Sequence, residues 1–414
     1  MMSVPAQFKV ISFEEARHCV EEHAAELRPK GKDIVELLDS AGRVLAESIF
    51  ADRDFPPFRR AARDGYAMRA ADLEILPATL SVIGEIKAGA PSEANFKVGP
   101  GQAAAIMTGA AVPTGADSVV MVEYSLLKGS EAEISKSVKA GDNVVPVGAE
   151  AKQGQCLLSP GMRMDHAAIA IAASVGKAQL SVYQKPRVAV VATGDEIVDI
   201  ASLPGPNQIR NSNTYSLAAQ VRAAGGEPVL LPVAPDEHSR LRELIVQGIE
   251  ADLLLLAGGV SMGKYDLVEQ VLAEFNAEFF FTGAQIQPGR PIVFGRVPRG
   301  KDAKYFLGLP GNPVSTMVTF ELFARPMIEA LAGLSPRKLF FLAARLKSDI
   351  KTKTGLKRFL PAMLSGEFEN AEVELVRWQG SGDIAATARA NCYLVVPPDR
   401  EQIAAGEWVA ILLR

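Results

Sequence analysis

From Pro186 to about residue 333, apolar runs alternate with amphipathic stretches. The runs that predict buried strands lie in RVAVVATGDEI, EPVLLPVAP and DLLLLAGG, and further strand-like segments lie in FFFTGAQI, PIVFGRV and KYFLGLPGNP. Helical spacing is found in NSNTYSLAAQVRAAGG, DEHSRLRELIVQGIEA, DLVEQVLAEF and PVSTMVTFELFARPMIEALAGL. Buried strands that alternate with amphipathic helices predict a three-layer α/β domain with a largely parallel sheet over residues 183–333.

The chain before this region contains two helical patterns. Residues 12 to 48 predict helix, because Ser12 suits an N-cap and apolar residues recur at helical spacing at Ala16, Val20, Val35, Leu37 and Leu38. The stretch MDHAAIAIAASVG, residues 164–176, predicts a second helix.

Two other regions predict β structure. Short runs separated by glycine and proline turns lie between about residues 80 and 158, in LSVIGEI, QAAAIM, DSVVMVEYS and AEISKSV. They predict an inserted β-rich module. The last eighty or so residues alternate again and show little helical spacing, so we expect a separate small β domain there.

Composition narrows the class of protein. The chain has 414 residues, which is enough for two to four domains, and a formal net charge of −4. Such a charge gives no reason to expect nucleic-acid binding, which needs a basic face. No apolar run is long enough for a bilayer, and the start MMSVPAQFKV lacks the apolar core of a signal peptide, so we expect a cytoplasmic protein without a membrane span.

The potential metal ligands are oxygen atoms. The three cysteines and four histidines show no metal-ligand spacing. Any metal would therefore be a hard ion held by aspartate and glutamate.

Two glycine-containing loops follow predicted strands. Gly258, Gly259, Ser261 and Gly263 lie in a turn whose backbone N–H groups could approach a phosphate closely, since no Cβ intervenes. The alternative is a tight strand-to-helix turn capped by Asp266. The loop GLPGNPVS, residues 308–315, is of the same kind, and its alternative is a helix start capped by Asn312 with Pro313 in the first turn.

Acidic residues follow neighbouring predicted strands. Thr193, Gly194, Asp195 and Glu196 come after one strand, and Asp236 after the next. With Asp266, these acids would line one rim, where carboxylates beside a phosphate site favour Mg²⁺. The alternative for Asp236 and Asp266 is N-capping. In the inserted module, Asp64 and Thr108 lie on polar loops, for which an ordinary turn is the default interpretation.

Several long motifs together resemble one known family. They are DGYAMR (64–69), IMTGAAVPTGADSVVMVE (106–123), VATGDEI (191–197), GGVSMGKYD (258–266), PGRP (288–291) and LPGNPVS (309–315). The chain is similar over nearly its whole length to the molybdopterin molybdenumtransferases, the MoeA family, which includes the E domain of gephyrin.

This resemblance implies an architecture of four domains. They are a discontinuous N-terminal domain (1–50 plus 150–182), the inserted β-rich domain (51–149), the α/β molybdopterin-binding domain (183–333) and a β-barrel-like C-terminal domain (334–414). It also implies an elongated homodimer whose active site lies between the α/β domain of one subunit and the inserted module of the other.

The same resemblance implies a reaction and its residues. Molybdate is inserted into adenylylated molybdopterin with Mg²⁺ assisting, and AMP and molybdenum cofactor are released. It implies catalytic roles for Asp64, Thr108, Glu196, Asp236 and Asp266, the last three also as metal ligands. The residues expected to contact pterin phosphate and nucleotide are Thr193, Gly194, Gly258, Gly259, Ser261, Gly263, Arg290, Pro310, Gly311, Asn312 and Ser315. A molybdopterin adenylyltransferase and apo molybdoenzymes are the expected partners.

The chain departs from the family pattern in its cationic residues. Gln287 stands where the family has lysine, Arg290 where it has a second lysine, and Val145 where arginine is common. Glu150 falls where aspartate is usual, Lys264 where an acid is frequent, and arginines occupy positions 59, 60 and 63. The added arginines could compensate for the lost lysine, or the protein could be a paralogue that prefers another oxyanion such as tungstate. A non-catalytic pterin-binding scaffold or chaperone and an adenylyltransferase are further alternatives.

Overall fold

The computed structural model describes residues 9–89, 97–259, 267–300, 302–336 and 338–414. They form two compact units. Unit 1 comprises Met1–Ala46, Gly161–Asp165 and Gln179–Arg414, and unit 2 comprises Glu47–Pro160 and His166–Ala178.

The first helix of unit 1 begins where the sequence predicts it. Strand β1 (Val10–Ile11) leads into helix α1 (Phe13–Glu26), and Ser12 and Glu15 form a reciprocal capping box at its start. The prediction that helix continues to residue 48 is wrong. After Pro29 and Gly31 the chain forms strand β2 (Lys32–Glu36), whose residues alternate in exposure. The spacing of Val35 and Leu37 therefore belongs to a period of two.

Unit 2 is built on a six-stranded sheet. Its strands are β5 (Gly65–Met68), β6 (Ala78–Ile86), β7 (Gln102–Ile106), β8 (Ser118–Met121), β9 (Ser125–Lys128) and β10 (Glu131–Ile134), in the order β8-β5-β7-β6-β10-β9. Unit 2 also contains two separate two-stranded ladders: β3 (Ile49–Phe50) with β12 (Cys156–Leu158), and β4 (Arg60–Ala61) with β11 (Val144–Val145). The unit also contains helix α2 (His166–Ser174). The predicted β-rich module and second helix are thus confirmed.

Alternating residues of β5 fill two separate cores. Tyr66 and Met68 pack into one cluster and Ala67 into the other. A Cβ at Gly65 would lie 1.8 Å from the backbone oxygen of Val120, so only glycine fits between the strands there. This tight packing fixes the position of the loop that precedes β5.

The central sheet of unit 1 has six strands in the order β17-β14-β18-β23-β22-β19. They are β14 (Arg187–Ala192), β17 (Glu227–Leu230), β18 (Leu253–Ala257), β19 (Glu278–Phe281), β22 (Val293–Arg299) and β23 (Asp302–Leu309). The first four in spatial order run parallel, β22 is antiparallel to β23, and β19 is antiparallel to β22 and so runs in the same direction as the first four. Smaller ladders are formed by β13 (Gln179–Tyr183) with β2, β15 (Ile197–Val198) with β16 (Ile209–Arg210), and β20 (Gly283–Ala284) with β1.

Helices cover both faces of this sheet, as predicted. The helices are α3 (Asn213–Ala224), α4 (His238–Gly248), α5 (Leu267–Glu274), α6 (Pro313–Thr319) and α7 (Arg325–Leu331). Val188 and Val190 pack in one core with α1, α3 and α7, while Ala189 and Val191 pack in the other with α4 and α5. Because both faces of β14 and β18 are buried, their sequences are continuously apolar, which confirms the three-layer arrangement.

One predicted helix contains a widened turn. Between α6 and α7, residues Phe320–Ala324 form a π-turn, so the helix predicted from Pro313 to residue 334 is continuous but irregular. Pro326 lies in the first turn of α7. Proline has no backbone N–H, so the hydrogen bond that a regular α-helix would make from residue 326 to the preceding turn is missing. The π-turn lies in that preceding turn.

The C-terminal part of unit 1 is a closed β-barrel. Its five strands are β24 (Phe341–Leu346), β26 (Lys357–Ser365), β27 (Glu372–Leu375), β28 (Cys392–Val396) and β30 (Trp408–Leu413). Pairing runs β26-β27-β24-β30-β28 and returns to β26, and β21 (Ile286–Gln287) adds to β26. A short pair, β25 (Ile350–Lys351) with β29 (Gln402–Ile403), and helix α8 (Ile384–Arg389) complete this part. The predicted barrel-like domain is confirmed. No helix in the described parts of the chain is long and apolar enough to cross a membrane.

Candidate active site

Four parallel strands end beside one cavity in unit 1. Because β17, β14, β18 and β23 run in the same direction, their carboxyl ends meet at one edge of the sheet. The loops that follow them surround a cavity of about 1230 Å³. Open α/β sheets bind ligands at this edge.

Many of the residues predicted from sequence border this cavity. They are Thr193, Gly194, Glu196, Asp236, Gly258, Gly259, Pro310, Gly311 and Asn312. The structure therefore brings together loops that are more than a hundred residues apart in the chain. Ser261, Gly263, Lys264 and Asp266 lie outside the described residues.

The two glycines after β18 are required by the packing of the chain around them. A Cβ on Gly258 would lie 2.7 Å from the Thr193 backbone oxygen, and one on Gly259 would lie 2.8 Å from Thr193 Oγ1. Both residues also have positive φ, +97° and +64°. The loop after β18 can thus pack directly on the loop after β14, with backbone facing the cavity.

Asn312 occupies the N-cap of α6, but its side chain makes no capping hydrogen bond. Pro313 fills the first helical position, as the helix-start interpretation predicts. Since Asn312 is exposed and borders the cavity, its amide is accessible to a ligand. Capping alone does not account for this residue.

Two buried polar atoms beside the cavity have no hydrogen-bond partner among the described residues. They are Thr193 Oγ1 and Asn213 Oδ1. The Asn213 amide is oriented by its Nδ2, which donates to the Gly311 backbone oxygen at 2.7 Å. A buried unpaired polar atom costs about 1–3 kcal/mol, so a polar ligand that reached these atoms would gain from satisfying them.

The sequence analysis did not select Asn213 as a site residue, because an asparagine at a helix start is typical of capping. The N-cap is in fact Ser212, which is exposed and makes no side-chain cap bond, while Asn211 accepts the Thr214 N–H at 3.2 Å. Capping of α3 needs only one polar residue, but the sequence has three in a row, Asn211, Ser212 and Asn213. The surplus is the signal that could have predicted a site residue here.

The cavity contains acids and one cation. Burial and the charges of Asp195 and Glu196 raise the pKa of Asp236 above its usual value. Asp195 also accepts the Asp236 backbone N–H at 3.0 Å, which ties the two strand-end loops together. Arg210 is the one lysine or arginine among the described lining residues, and its Nε donates to the Ser202 backbone oxygen at 3.1 Å.

Asp236 is not the N-cap of α4, so the N-capping alternative for this residue is wrong. The N-cap is Glu237, whose side chain makes no capping hydrogen bond. No three histidine, cysteine, aspartate or glutamate side chains in the described ranges form a metal site by themselves. Mg²⁺ is commonly held by one or two carboxylates together with substrate phosphate oxygens. The negative charges of Asp195 and Glu196 repel that of Asp236, and a bound cation would relieve this repulsion.

Two predicted contact residues lie away from the cavity lining. Arg290 is exposed and its backbone oxygen accepts the Ala284 N–H, whereas its neighbour Pro291 does border the cavity. Ser315 is buried within α6, where its backbone oxygen accepts from Thr319 Oγ1 at 2.8 Å. Gln287 is exposed on β21 beside the barrel strand β26.

In unit 2 the structure joins Asp64 and Thr108, which are 44 residues apart. One Asp64 oxygen accepts both the Thr108 backbone N–H, at 2.6 Å, and its hydroxyl, at 2.7 Å. These two hydrogen bonds lower the pKa of the fully exposed Asp64 carboxyl. The arrangement holds an ionised carboxylate in a fixed position on the surface of unit 2.

The three unusual arginines of unit 2 differ in their contacts. Arg60 forms an ion pair with Glu150 at 2.5 Å, and its strand partner is Val145. Arg59 donates to the Ala116 backbone oxygen at 3.2 Å. Arg63 is exposed and bonds to no described residue. Of the three, only Arg60 is neutralised by a described carboxylate, so the charges of Arg59 and Arg63 are both available to a ligand.

Comparison with known proteins identifies related sequences over most of the chain. Residues 11–176 match the MoeA N-terminal region (domain I and II), residues 189–330 a probable molybdopterin binding domain, and residues 343–413 the MoeA C-terminal region (domain IV). The molybdopterin molybdenumtransferase of a Nostoc species is 36% identical over 392 residues, which cover 92% of this chain and 88% of that protein. The protein of the same name from Haemophilus influenzae is 32% identical over 388 residues, covering 92% and 94%.

Solved structures agree with this result. A molybdopterin biosynthesis MoeA protein from Pyrococcus horikoshii aligns with a TM-score of 0.77 and 29% identity over 98% of this chain and 100% of that chain. A second structure under a similar description aligns with a TM-score of 0.70 and 33% identity over 98% and 99%. The chain therefore belongs to the molybdopterin molybdenumtransferase, or MoeA, family.

Proposed function

We propose that this protein inserts molybdate into adenylylated molybdopterin, releasing AMP and molybdenum cofactor, with Mg²⁺ assisting. The observation that carries this proposal is the convergence of four strand-end loops on one cavity with acids, a cation and exposed backbone. The family membership supports it, since curated relatives are named for molybdenum transfer.

The cavity residues suit a reaction in which a phosphate linkage is broken. Backbone N–H groups of the loops after β18 and β23 can donate to phosphate oxygens, and Arg210 supplies a positive charge. Glu196 and Asp236, with Asp266, would hold Mg²⁺, which when bound neutralises charge on phosphate oxygens. The proposed reaction does not require a protein nucleophile. The protein would act by positioning and charge stabilisation.

Asp64 and Thr108 belong to the same proposal as functional residues of unit 2. Thr108 would fix the orientation of the carboxylate, and Asp64 would carry the charge. Arg59 and Arg63, which precede Asp64 in sequence, are the cations of this segment that could interact with an oxyanion.

We further propose the four-domain division stated above and a homodimeric state. The partners of the protein would be an adenylyltransferase that supplies the substrate and apo molybdoenzymes that receive the product. Sedimentation of the purified protein at several concentrations tests the dimer: a species of one-subunit mass at every concentration would refute it.

The decisive experiment measures AMP release from adenylylated molybdopterin after molybdate and Mg²⁺ are added. We expect stoichiometric AMP and a product that activates an apo molybdoenzyme. A scaffold would bind the pterin without AMP release, and an adenylyltransferase would consume ATP. Faster release with tungstate than with molybdate would identify a paralogue with another oxyanion preference.

Metal binding should depend on pH through Asp236. Because the pKa of Asp236 is raised, its proton competes with Mg²⁺ at a higher pH than for an ordinary aspartate. The same shift means that ionised Asp236 destabilises the folded cavity near neutral pH, and this cost disappears as pH falls through the raised pKa or as a cation binds. Calorimetric titration with Mg²⁺ and AMP should show affinity falling on acidification in the wild type. An Asp236→Asn variant should bind more weakly with a flatter pH profile, and equal slopes would contradict the assignment.

Gln287→Lys should increase the affinity for molybdate. The substitution restores a positive charge that the family usually has. If the added ammonium reaches contact distance of molybdate in water, it contributes about 1 kcal/mol, or about fivefold in affinity. The molybdate concentration for half-maximal AMP release is the measurement. Gln285→Lys, also exposed and two residues away, is the matched control. An equal effect of both substitutions would indicate general electrostatic attraction.

A further inference from the structure

A second cavity in unit 1, of about 230 Å³, lies at the C-terminal end of α3. Four cationic side chains line it, Arg43, Arg163, Lys185 and Arg222, and no described lining residue is acidic. The protein as a whole has a net charge of −4, so a cavity with this lining is a local concentration of positive charge.

The fold holds two of these cations in place. Arg43 Nη2 donates to Asp33 Oδ2 at 2.7 Å and to the Tyr183 backbone oxygen at 2.9 Å. Arg163 donates to the backbone oxygens of Gly42, at 3.1 Å, and Ala224, at 3.3 Å. Backbone carbonyls orient a guanidinium without neutralising it, and these bonds are made before any ligand binds.

Carboxylates near the cavity neutralise only part of this charge. Asp33 pairs with Arg43. Glu329 lies 3.9 Å from Arg163 but also 3.8 Å from Arg325, so one acid serves two arginines. The cavity therefore keeps an excess of positive charge even when these two acids are ionised.

The other two cations have no carboxylate partner among the residues that the structure describes. Lys185 and Arg222 are exposed, and neither forms an ion pair with a carboxylate in the described part of the chain. A guanidinium and an ammonium that face one small cavity suit a tetrahedral oxyanion, which accepts paired hydrogen bonds from arginine and a single charge contact from lysine. The volume equals several water molecules, which is enough for such an anion and part of its hydration.

We propose that this cavity is an oxyanion-binding site separate from the large cavity, and that it takes a tetrahedral dianion such as inorganic phosphate or molybdate. The two sites lie at opposite ends of one helix. Asn213, the first residue of α3, borders the large cavity, and Arg222, in its last turn, borders this one. Asn213 and Arg222 are nine residues apart, which at 1.5 Å per residue is about 14 Å along the helix, so one ligand of small size cannot occupy both sites.

The test is direct observation of the anion with matched variants. Crystals are soaked in molybdate, whose metal is located by anomalous scattering, and equilibrium dialysis measures molybdate affinity with and without inorganic phosphate. We expect density between Lys185 and Arg222 in the wild type. Lys185→Ala/Arg222→Ala should abolish that density and weaken the corresponding affinity about tenfold or more. The control Lys351→Ala/Arg377→Ala removes two exposed charges elsewhere in unit 1 and should change neither.

Phosphate distinguishes the two sources of the oxyanion. Displacement of molybdate by phosphate would assign a general tetrahedral-anion site, and resistance to phosphate would assign a site for the metal oxyanion. Arg222→Gln, which keeps side-chain length without charge, provides a second variant if the double variant loses its fold. Wild-type crystals with no anion in this cavity, or equal affinity in the double variant and the control, would overturn the proposal. Because AMP release is not measured, this outcome is independent of the proposed reaction.

Discussion

Glu196→Ala should abolish formation of molybdenum cofactor while the protein stays folded. Glu196 borders the large cavity, and its carboxylate is exposed and forms no hydrogen bond to a described residue, so the fold does not depend on it. If the carboxylate holds Mg²⁺ against substrate phosphate, its removal loses charge stabilisation where the reaction occurs. Losses from removing one such stabilising group are about 100-fold or more in rate. The measurement is AMP release and reconstitution of an apo molybdoenzyme.

Glu227→Ala is the control for this experiment. Glu227 is also an exposed glutamate of unit 1, but it begins β17 and therefore lies at the opposite edge of the same sheet. Thermal unfolding of Glu227→Ala should match that of the wild type, and Glu196→Ala should be equally or slightly more stable because a charge that repels Asp236 is removed. Full activity of Glu196→Ala would remove this residue from the site, and an equal loss in Glu227→Ala would trace the effect to net charge. Added Mg²⁺ at high concentration should partly rescue Glu196→Ala, since the remaining ligand Asp236 is intact.

The layout of the large cavity was predictable because it follows from periodicity. Short continuous apolar runs that end in glycine, such as Leu253–Ala257, favour strands buried on both faces, and parallel strands bring their carboxyl ends together. Thr193, Gly258 and Asn312 could therefore be assigned to one edge of the sheet without any knowledge of distances. The error at residues 32–36 arose where apolar spacing fits two periods at once. The alternating exposure that decides between them depends on pairing with Gln179–Tyr183, which is remote in sequence.

Other features depend on contacts that no local pattern encodes. Arg60 pairs with Glu150, which is 90 residues away in the chain. The sequence alone suggests that the charge of Arg60 is free to bind a ligand, but this ion pair neutralises it. The unpartnered oxygen of Asn213 results from the donation of its amide to Gly311, 98 residues away. The family resemblance indicated which loops matter, but only the structure shows which side chains the fold itself already uses.

Asp64→Ala should eliminate cofactor formation as completely as Glu196→Ala, although the two residues lie in different units. Asp64 is fully exposed, and its two hydrogen bonds, both from Thr108, leave its second oxygen without a bond to the described residues. An exposed carboxylate that is ordered in this way is suited to act on a ligand. Alanine removes the charge and leaves the adjacent Gly65, on which packing of β5 depends, unchanged.

Two milder substitutions separate charge from position. Asp64→Asn keeps an oxygen that can accept from Thr108 but is neutral, and we expect it to be nearly as inactive as alanine. Thr108→Val keeps the backbone N–H and loses the hydroxyl, so the pKa of Asp64 should rise toward its usual value and activity should fall by less. Thr108→Ser keeps the hydroxyl and should retain both the lowered pKa of Asp64 and the activity. NMR titration of Asp64 provides the pKa, and cofactor reconstitution provides the activity.

The direction of the pH effect follows from the lowered pKa of Asp64. A carboxyl whose pKa is lowered by folding contributes stability above its unfolded pKa and loses it as pH falls through the folded value. Thr108→Val should therefore lose stability relative to the wild type near neutral pH and approach it in acid. Glu131→Ala, which removes an exposed acid elsewhere in unit 2, should change neither activity nor the Asp64 titration. Active Asp64→Asn would show that the negative charge is dispensable, and a wild-type Asp64 pKa in Thr108→Val would show that the hydroxyl does not stabilise the carboxylate.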